Sequence, residues 1–300
     1  MSEEVDKLEQ ALKAKDENTL IEITLSHKNA ERVKLREEYK TKFNRELLED
    51  FEKYLKSDFL KVMKAVYRSP AEYDAELFYL AMKGIGSDKS MITELLCFRS
   101  PERIEEIKQK FKEMYKKDLV EEVMDETSGE YKKIAEILLK GQRGKNKEPD
   151  LETCKKIAEE IYAAGEGKVG TNDAVFIKYF TELSPEELLL VCKEYEKNHK
   201  KHMLDTIEGE FSSHVKDLLK IILYGLFSPA EYFAKQIYDS IAGVGTSDDK
   251  LIRCVVSRSE IDIGRIKKYY QKIFNKDMIT DIKGDISGSY STLMEGLMKD

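Results

Sequence analysis

Apolar side chains spaced by four residues recur at four places along the chain. In each place an aromatic residue is followed by a second ring and then by Leu or Met. The four sets are Tyr39-Phe43-Leu47, Phe111-Tyr115-Leu119, Tyr195-His199-Met203 and Tyr270-Phe274-Met278. Because steps of four place side chains on one face of an α-helix, each set predicts a helix packed against the core. His199 stands at a ring position, so we expect it to pack as a ring rather than bind a ligand.

The spacing of these sets divides the chain into four repeats. The first residues of successive sets are separated by 72, 84 and 75 residues, and self-similarity at a regular interval indicates a repeat architecture. The longer second interval contains GQRGKNKEPD at residues 141–150, a polar stretch broken by Gly and Pro that is typical of an exposed linker. We therefore predict repeats at residues 1–67, 68–140, 151–225 and 226–300.

The pattern between these sets is also helical. Ile104, Ile107, Phe111 and Met114 follow the 3.6-residue period of an amphipathic helix. Ser-Pro-Glu, as at Ser184, is a good helix start because Ser caps the first turn and Pro is tolerated within it. No stretch alternates convincingly as a strand would. We therefore predict an all-α fold in which each repeat has about five short helices.

The composition is that of a well-solvated globular protein. Of the 300 residues, 41% are hydrophobic and 36% are charged, and the net charge is −7. Such a chain is not expected to bind nucleic acid, and any anionic partner would need a bridging cation. No run of about 18 apolar residues is present and the N-terminus lacks a secretory signal, so we expect a cytoplasmic protein. The four widely spaced cysteines favour reduced core thiols over a zinc site.

In the last three repeats, a glycine-rich loop and an acidic residue flank the aromatic set at constant distances. The glycines Gly86, Gly170 and Gly245 lie 25 residues before it, and Glu126, Glu210 and Asp285 lie 15 residues after it. Glycine permits positive φ, so a short loop can turn several carbonyl groups the same way. Calcium binds such carbonyls together with a carboxylate. With one carboxylate per site, we expect an affinity weaker than about 10⁻⁵ M and open positions for water or a phosphate oxygen.

The first repeat lacks both parts of this arrangement. Its loop lies in ALKAKDENTL, which contains no glycine, and Tyr54 stands where the acid would be. The aromatic set is nevertheless kept, so loop and acid are lost together while the packing residues remain. This supports a joint role for the two parts. The alternative is that Gly and acidic residues are simply common at helix ends and that shared ancestry preserved their spacing.

Taken together, these motifs resemble the annexin family, whose core is four repeats of five helices. Each annexin repeat carries a K-G-x-G-T type loop and an acid about 40 residues later. The matching segments are Lys83-Gly84-Ile85-Gly86-Ser87, Gly243-Val244-Gly245-Thr246, Asp125–Gly129, Gly284–Gly288, Arg99-Ser100 and Arg258-Ser259. Residues Gly165–Thr171 are similar to the variant loop of the third annexin repeat, although Leu183 replaces the Arg there. The resemblance covers nearly the whole chain.

The resemblance implies reversible, calcium-dependent binding to acidic phospholipid by sites on the convex face of a curved disc. The implied calcium ligands are the backbone oxygens of Met82, Gly84 and Gly86 with Glu126, those of Gly165, Lys168 and Gly170 with Glu210, and those of Ile241, Gly243 and Gly245 with Asp285. Ile85, Val169 and Val244 at the loop tips would touch the lipid interface. The protein would be cytoplasmic and peripheral on membranes when calcium is high, with possible cytoskeletal or homo-oligomeric partners.

Two other classes of protein were weighed. A helical-repeat scaffold that binds protein partners without calcium would explain the periodicity, but not the joint loss of loop and acid in the first repeat. An enzyme is disfavoured because there are only four histidines and no HExxH, GxSxG or complete phosphate loop. His199 and His202 are three residues apart on a predicted helix, but no third metal ligand has motif spacing.

Overall fold

The computed structural model describes residues 2–84, 86–141, 149–167 and 170–299, and these residues contain twenty α-helices and no strand. Five helices fall in each repeat, so the predicted all-α repeat fold is confirmed. Residues 142–148 of the predicted linker lie outside the described residues. Its last residue, Asp150, caps the following helix by accepting a hydrogen bond of 3.0 Å from the Thr153 N–H.

The helices are numbered α1 to α20 in chain order. Repeat one contains α1 (Ser2–Ala14), α2 (Glu17–Leu25), α3 (Asn29–Phe43), α4 (Leu47–Tyr54) and α5 (Ser57–Val66). Repeat two contains α6 (Pro70–Met82), α7 (Lys89–Cys97), α8 (Pro101–Tyr115), α9 (Leu119–Glu126) and α10 (Gly129–Leu139). Repeat three contains α11 (Leu151–Ala164), α12 (Asp173–Glu182), α13 (Pro185–His199), α14 (Met203–Glu210) and α15 (Ser213–Phe227). Repeat four contains α16 (Pro229–Ile241), α17 (Asp248–Arg258), α18 (Ile263–Phe274), α19 (Met278–Asp285) and α20 (Gly288–Met298).

Each aromatic set is divided between two helices, so the prediction of one continuous helical face is wrong for its third member. The third helix of every repeat ends at the second ring, and the Leu or Met begins the fourth helix. The residue after the ring has a left-handed φ of 50–59°, which stops the helix; these residues are Asn44, Lys116, Lys200 and Asn275. The Leu or Met still lies in the core, with at most 3% of its surface exposed.

The aromatic residues form the core that the pattern predicts. The first ring of each set, at Tyr39, Phe111, Tyr195 and Tyr270, is fully buried. In the last three repeats the second ring stacks on a tyrosine of the repeat's first helix. His199 is one of these rings: it lies 3.8 Å from Tyr162, centroid to centroid, with the planes 4° apart. The expectation that His199 packs as a ring is therefore confirmed.

The chain forms two compact units, Met1–Tyr73 with Ala230–Asp300, and Asp74–Pro229. The first unit therefore holds repeats one and four, and the second holds repeats two and three. Within the first unit, the buried Arg32 guanidinium bonds Glu260 at 2.8 Å and also donates to the backbone oxygens of Thr24 and Val66. Of the helices in the described ranges, none is long and apolar enough to cross a bilayer.

Candidate metal centres

The glycine-rich loops join the first and second helices of the last three repeats, and all are closed by the same backbone hydrogen bond. The N–H of the residue before the second helix donates to a carbonyl near the end of the first helix. The three bonds, each 2.7 Å, are Asp88 to Ala81, Asn172 to Ala164 and Ser247 to Ser240. The loops therefore share one anchoring geometry, although their sequences differ.

Two glycines give the loops of repeats two and four the same backbone shape. Gly84 and Gly243 have φ of +109° and +119°, and Gly86 and Gly245 both have φ of +84°. A side chain added at any of these positions would meet no atom within 4 Å. The requirement for glycine is thus conformational, because L side chains disfavour these angles. Gly170 of repeat three has the equivalent φ of +83°.

The acidic residues terminate the fourth helix of their repeats, and in repeats two and three a loop hydroxyl reaches that helix end. In repeat two, Ser87 Oγ donates to the Glu126 backbone oxygen at 3.3 Å. In repeat three, Thr171 Oγ1 lies 3.3 Å from the Glu210 backbone oxygen and 2.5 Å from its carboxylate Oε2. The fold therefore brings together loop and acid that are 40 residues apart in sequence.

Sequence reasoning missed the role of this hydroxyl. Its signal was present, because a Ser or Thr directly follows the last glycine in all three loops, with Thr246 in repeat four. The closing hydrogen bond has no comparable signal, since it joins backbone atoms and depends only on the loop's path.

Repeat three differs in detail from the other two. Gly165 ends α11 with φ of −116°, so its glycine is not explained by a left-handed backbone. A Cβ there would lie 3.1 Å from the Phe176 ring and 3.5 Å from the Glu210 side chain, so the ring would have to move by a few tenths of an ångström to accommodate it. Glu210 is half-buried and bonded to Thr171, whereas Glu126 and Asp285 are exposed. Lys168 and Val169, a predicted ligand and a predicted loop tip, lie outside the described residues.

The apolar side chains of the loops differ in burial between the loop start and the loop tip. Met82 and Ile241, the last residues of α6 and α16, bury their side chains, so only their backbone oxygens are available to a cation. Val244 at the tip of the repeat-four loop is fully exposed at 109% relative area. Its counterpart Ile85 in repeat two lies outside the described residues.

The donor set fits a hard cation. Across the described part of the chain, no three His, Cys, Asp or Glu side chains converge. Each candidate site therefore offers one carboxylate, at the end of the fourth helix, and the backbone carbonyl groups of its glycine-rich loop. Calcium takes six to eight oxygen ligands, including carbonyls and water, in flexible geometry, so it suits this combination better than metals that prefer sulfur or nitrogen.

The arginines of the Arg-Ser motifs are engaged in ion pairs rather than in the loops. The Arg99 guanidinium bonds Asp74 at 2.7 and 2.8 Å, and the Arg258 guanidinium bonds Asp262 at 2.8 and 2.7 Å. Both pairs are two-pronged and largely buried, a geometry that fixes the position of both partners. These pairs therefore fix the ends of α7 and α17 relative to α6 and α18.

An acidic residue follows directly after the repeat-four loop. Burial raises the pKa of Asp248, the first residue of α17, and the nearby carboxylates of Asp58 and Asp249 raise it further, while the charge of Lys61 opposes the change. The loop therefore ends beside a concentration of negative charge, which favours a cation in its vicinity.

Comparison with known proteins identifies the family. The family model described as Annexin matches residues 3–66, 73–138, 156–222 and 232–297. Annexin A3 of Mus musculus is 33% identical over 279 residues, which are 93% of this chain and 86% of that protein. Annexin A7 of Homo sapiens is 29% identical over 279 residues, but this chain spans only 57% of that longer protein.

Solved structures agree with the sequence matches. The structure of annexin III has a TM-score of 0.93 and 30% identity, covering 99% of this chain and 93% of its own. A calcium-bound structure of annexin (Sm)1 has the same fold, with a TM-score of 0.88 at 24% identity, and covers 100% of this chain and 90% of its own. With four family matches that span most of its length, the chain belongs to the annexin family.

Proposed function

We propose that this protein binds acidic phospholipid membranes reversibly and in a calcium-dependent manner. The observation that carries the proposal is the pairing of a glycine loop with an acidic helix end within a repeat. The contacts Ser87–Glu126 and Thr171–Glu210 make that pairing in repeats two and three. Annexins are known generally for calcium-dependent phospholipid binding, so membership of the family supports the same role here.

The proposed ligands are one carboxylate and several backbone oxygens per repeat. They are Met82, Gly84, Gly86 and Glu126; Gly165, Lys168, Gly170 and Glu210; and Ile241, Gly243, Gly245 and Asp285. When bound, calcium would supply local positive charge and coordination positions open to a lipid phosphate. The carboxylate supplies the full negative charge of each site, and the glycines orient the carbonyls.

Charge balance supports dependence on calcium. The net charge of −7 opposes approach to an anionic surface. One carboxylate per site gives weak calcium binding, on the order of 10⁻⁵ M or weaker, in the absence of lipid. Lipid oxygens that complete the ligand shell raise the affinity, so protein, calcium and membrane assemble together. Removal of calcium by a chelator then releases the protein.

The exposed tip of the repeat-four loop fits a shallow contact with the lipid interface. Val244 projects fully into solvent, and transfer of a valine side chain to an apolar environment contributes about 1.5 kcal/mol or more. Ile85 and Val169 hold the same place in the other two loops by sequence. We include these three residues in the proposed membrane contact.

The proposed role is that of a non-enzymatic binding protein. It would be cytoplasmic at low calcium and peripheral on membranes at high calcium. Cytoskeletal or homo-oligomeric partners are compatible with that role and belong to the proposal only in this general sense.

The test is sedimentation with vesicles of phosphatidylserine and phosphatidylcholine over a calcium titration. We expect the double variant Glu126→Gln/Asp285→Asn to need at least about tenfold more calcium for half-maximal binding, because two sites lose their only charged ligand. Thermal unfolding checks that the variant keeps its fold, which we expect because both side chains are exposed.

A matched control removes the same charge elsewhere. The variant Glu37→Gln/Asp125→Asn changes two exposed carboxylates, one of which is adjacent to Glu126, and should bind like the wild type. Equal calcium dependence of the site variant and the wild type would refute the site assignment. Vesicle binding that is insensitive to a chelator, or absent at millimolar calcium, would refute the proposed function itself.

A further inference from the structure

We propose that repeat one contacts acidic lipid headgroups through three lysines instead of through a calcium ion. These are Lys15, Lys53 and Lys56, here called the repeat-one lysines. The inference rests on the proposed function, because it concerns the same membrane contact. It gives a role to the repeat whose loop lacks glycine and whose acid is replaced by Tyr54.

The fold places Lys15 where other repeats have the loop hydroxyl. Repeat one closes its loop with the equivalent backbone bond, from Asp16 N–H to the Ala11 oxygen at 2.9 Å, but with two residues fewer than repeats two and four. Lys15 directly precedes Asp16, as Ser87 precedes Asp88, and has a left-handed φ of +54°. Repeat one thus has a lysine at the loop position that Ser87 occupies in repeat two, where the serine hydroxyl bonds the acidic helix end.

The other two lysines flank the end of α4, the helix that carries the acid in other repeats. α4 ends at Tyr54, and α5 begins at Ser57. Lys53 lies over the Tyr54 ring, 5.0 Å from its centroid, and Lys56 is the residue before α5. The positive charges therefore surround the place that Glu126 and Asp285 hold in their own repeats.

The three charges are available to a partner. All three side chains are exposed, and none has a carboxylate within 4.0 Å among the described residues. Two neighbouring acids are paired with other lysines, Glu52 with Lys64 and Asp58 with Lys61. Asp16 and Glu17 bond only uncharged groups of Thr19 and Ser289, so they keep their negative charge. Glu49, one turn before Lys53 on α4, is a further exposed acid that offsets part of the charge. The repeat-one lysines therefore present ammonium groups without a carboxylate partner, in surroundings that also carry negative charge.

Two contacts within the first compact unit tie this surface to the calcium loop of repeat four. Ser289, four residues after Asp285, donates a hydrogen bond to Glu17, two residues after Lys15. Lys61 Nζ on α5 lies 2.7 Å from Asp249, four residues after Gly245. The repeat-one lysines are therefore beside both parts of the repeat-four site. A membrane held there is within their reach.

The expected strength follows from membrane electrostatics. A lysine near an anionic surface increases the binding constant about fivefold, and the effect falls off within a Debye length. That length is about 10 Å at 0.1 M salt, so the acidic residues on remote parts of the protein are largely screened. Three lysines together should contribute up to about a hundredfold, and less as salt rises.

The experiment compares Lys15→Gln/Lys53→Gln/Lys56→Gln with wild type on phosphatidylserine vesicles, at several salt concentrations, with calcium and with a chelator. With calcium, we expect the variant to bind at least about tenfold more weakly at low salt and to show a smaller dependence on salt. In chelator at low salt, the wild type should keep weak binding that the variant loses.

Two control variants separate charge from structure. Arginine at the same three positions should restore binding, because a headgroup interacts with the charge. Lys193→Gln/Lys197→Gln/Lys200→Gln removes three exposed lysines near the start of α14, about 12 Å from Glu210 at its other end, and should bind like the wild type.

The outcomes distinguish this inference from the proposed function. If the wild type binds with calcium and the repeat-one variant has the same affinity and salt dependence, the inference is wrong and the proposed function stands. The inference would also be wrong if the repeat-one variant lost no more affinity than the Lys193→Gln/Lys197→Gln/Lys200→Gln control. Such a result would mean that vesicle binding responds only to the total charge of the protein. If calcium has no effect but the variant alone loses binding in chelator, the inference stands and the proposed function is wrong.

Discussion

At the scale of single residues, one replacement distinguishes the core of repeat one. Glu9 stands two residues before the carbonyl that closes the loop, where the other repeats have Tyr79, Tyr162 and Tyr238. Those tyrosines stack on the second ring of their sets at 3.8–4.1 Å. Glu9 instead accepts hydrogen bonds from Tyr39 and Arg45. A buried ionic network thus replaces a stacked ring pair.

The hydrogen bonds to Glu9 should make the free energy of unfolding depend on pH under acidic conditions. Burial raises the pKa of Glu9, but hydrogen bonds from Lys13, Tyr39 and Arg45 outweigh it and lower the pKa from 4.5 to about 2. A carboxyl with a lowered pKa stabilises the fold above its unfolded value, and that contribution is lost as pH falls. The free energy of unfolding should therefore drop between pH 4.5 and about 2 more steeply in wild type than in Glu9→Gln. Equal slopes, measured by urea titration with Glu37→Gln as the control, would contradict this.

At the scale of helices, the ends are less predictable than the bodies. The spacing of apolar residues predicted the third helix of each repeat, but extended it one turn too far. Asn44 and Asn275 are common in the left-handed conformation that ends a helix. Lys116 and Lys200 are not, so their φ of +59° and +57° had no signal in the sequence. The fold imposes these two angles because the buried Leu119 and Met203 must begin a new helix.

Glycine in place of a left-handed lysine after the third helix of a repeat should stabilise the protein. Lys116→Gly removes the cost of a left-handed lysine, about 1–2 kcal/mol, and adds back about 0.5–1 kcal/mol of unfolded-chain entropy. We expect a net gain of about 0.5–1 kcal/mol in the free energy of unfolding, measured by urea titration. The control Lys112→Gly lies inside α8 and should lose about 1 kcal/mol. A loss in both variants would mean that Lys116 is not strained.

At the scale of the whole molecule, repetition made the architecture predictable. Four aromatic sets and their spacing were enough to predict four helical repeats, and three equal counts predicted which loop pairs with which acid. The grouping of repeats into two compact units was not predicted. It depends on pairs such as Arg32 and Glu260, 228 residues apart, and a single sequence holds no signal for such pairs. The sequence also offered no reason to single out the repeat-one lysines, because their significance depends on the residues that surround them in the folded protein.

The calcium sites themselves are the central claim, and a crystal structure at millimolar calcium with a soluble phosphatidylserine headgroup tests it most directly. We expect one ion bound by the 82–86 loop with Glu126 and another bound by the 241–245 loop with Asp285, each with a headgroup oxygen among its ligands. We expect no ion in the 11–16 loop of repeat one. The assignment would be contradicted if neither glycine loop bound calcium under these conditions, or if an ion were bound in the repeat-one loop.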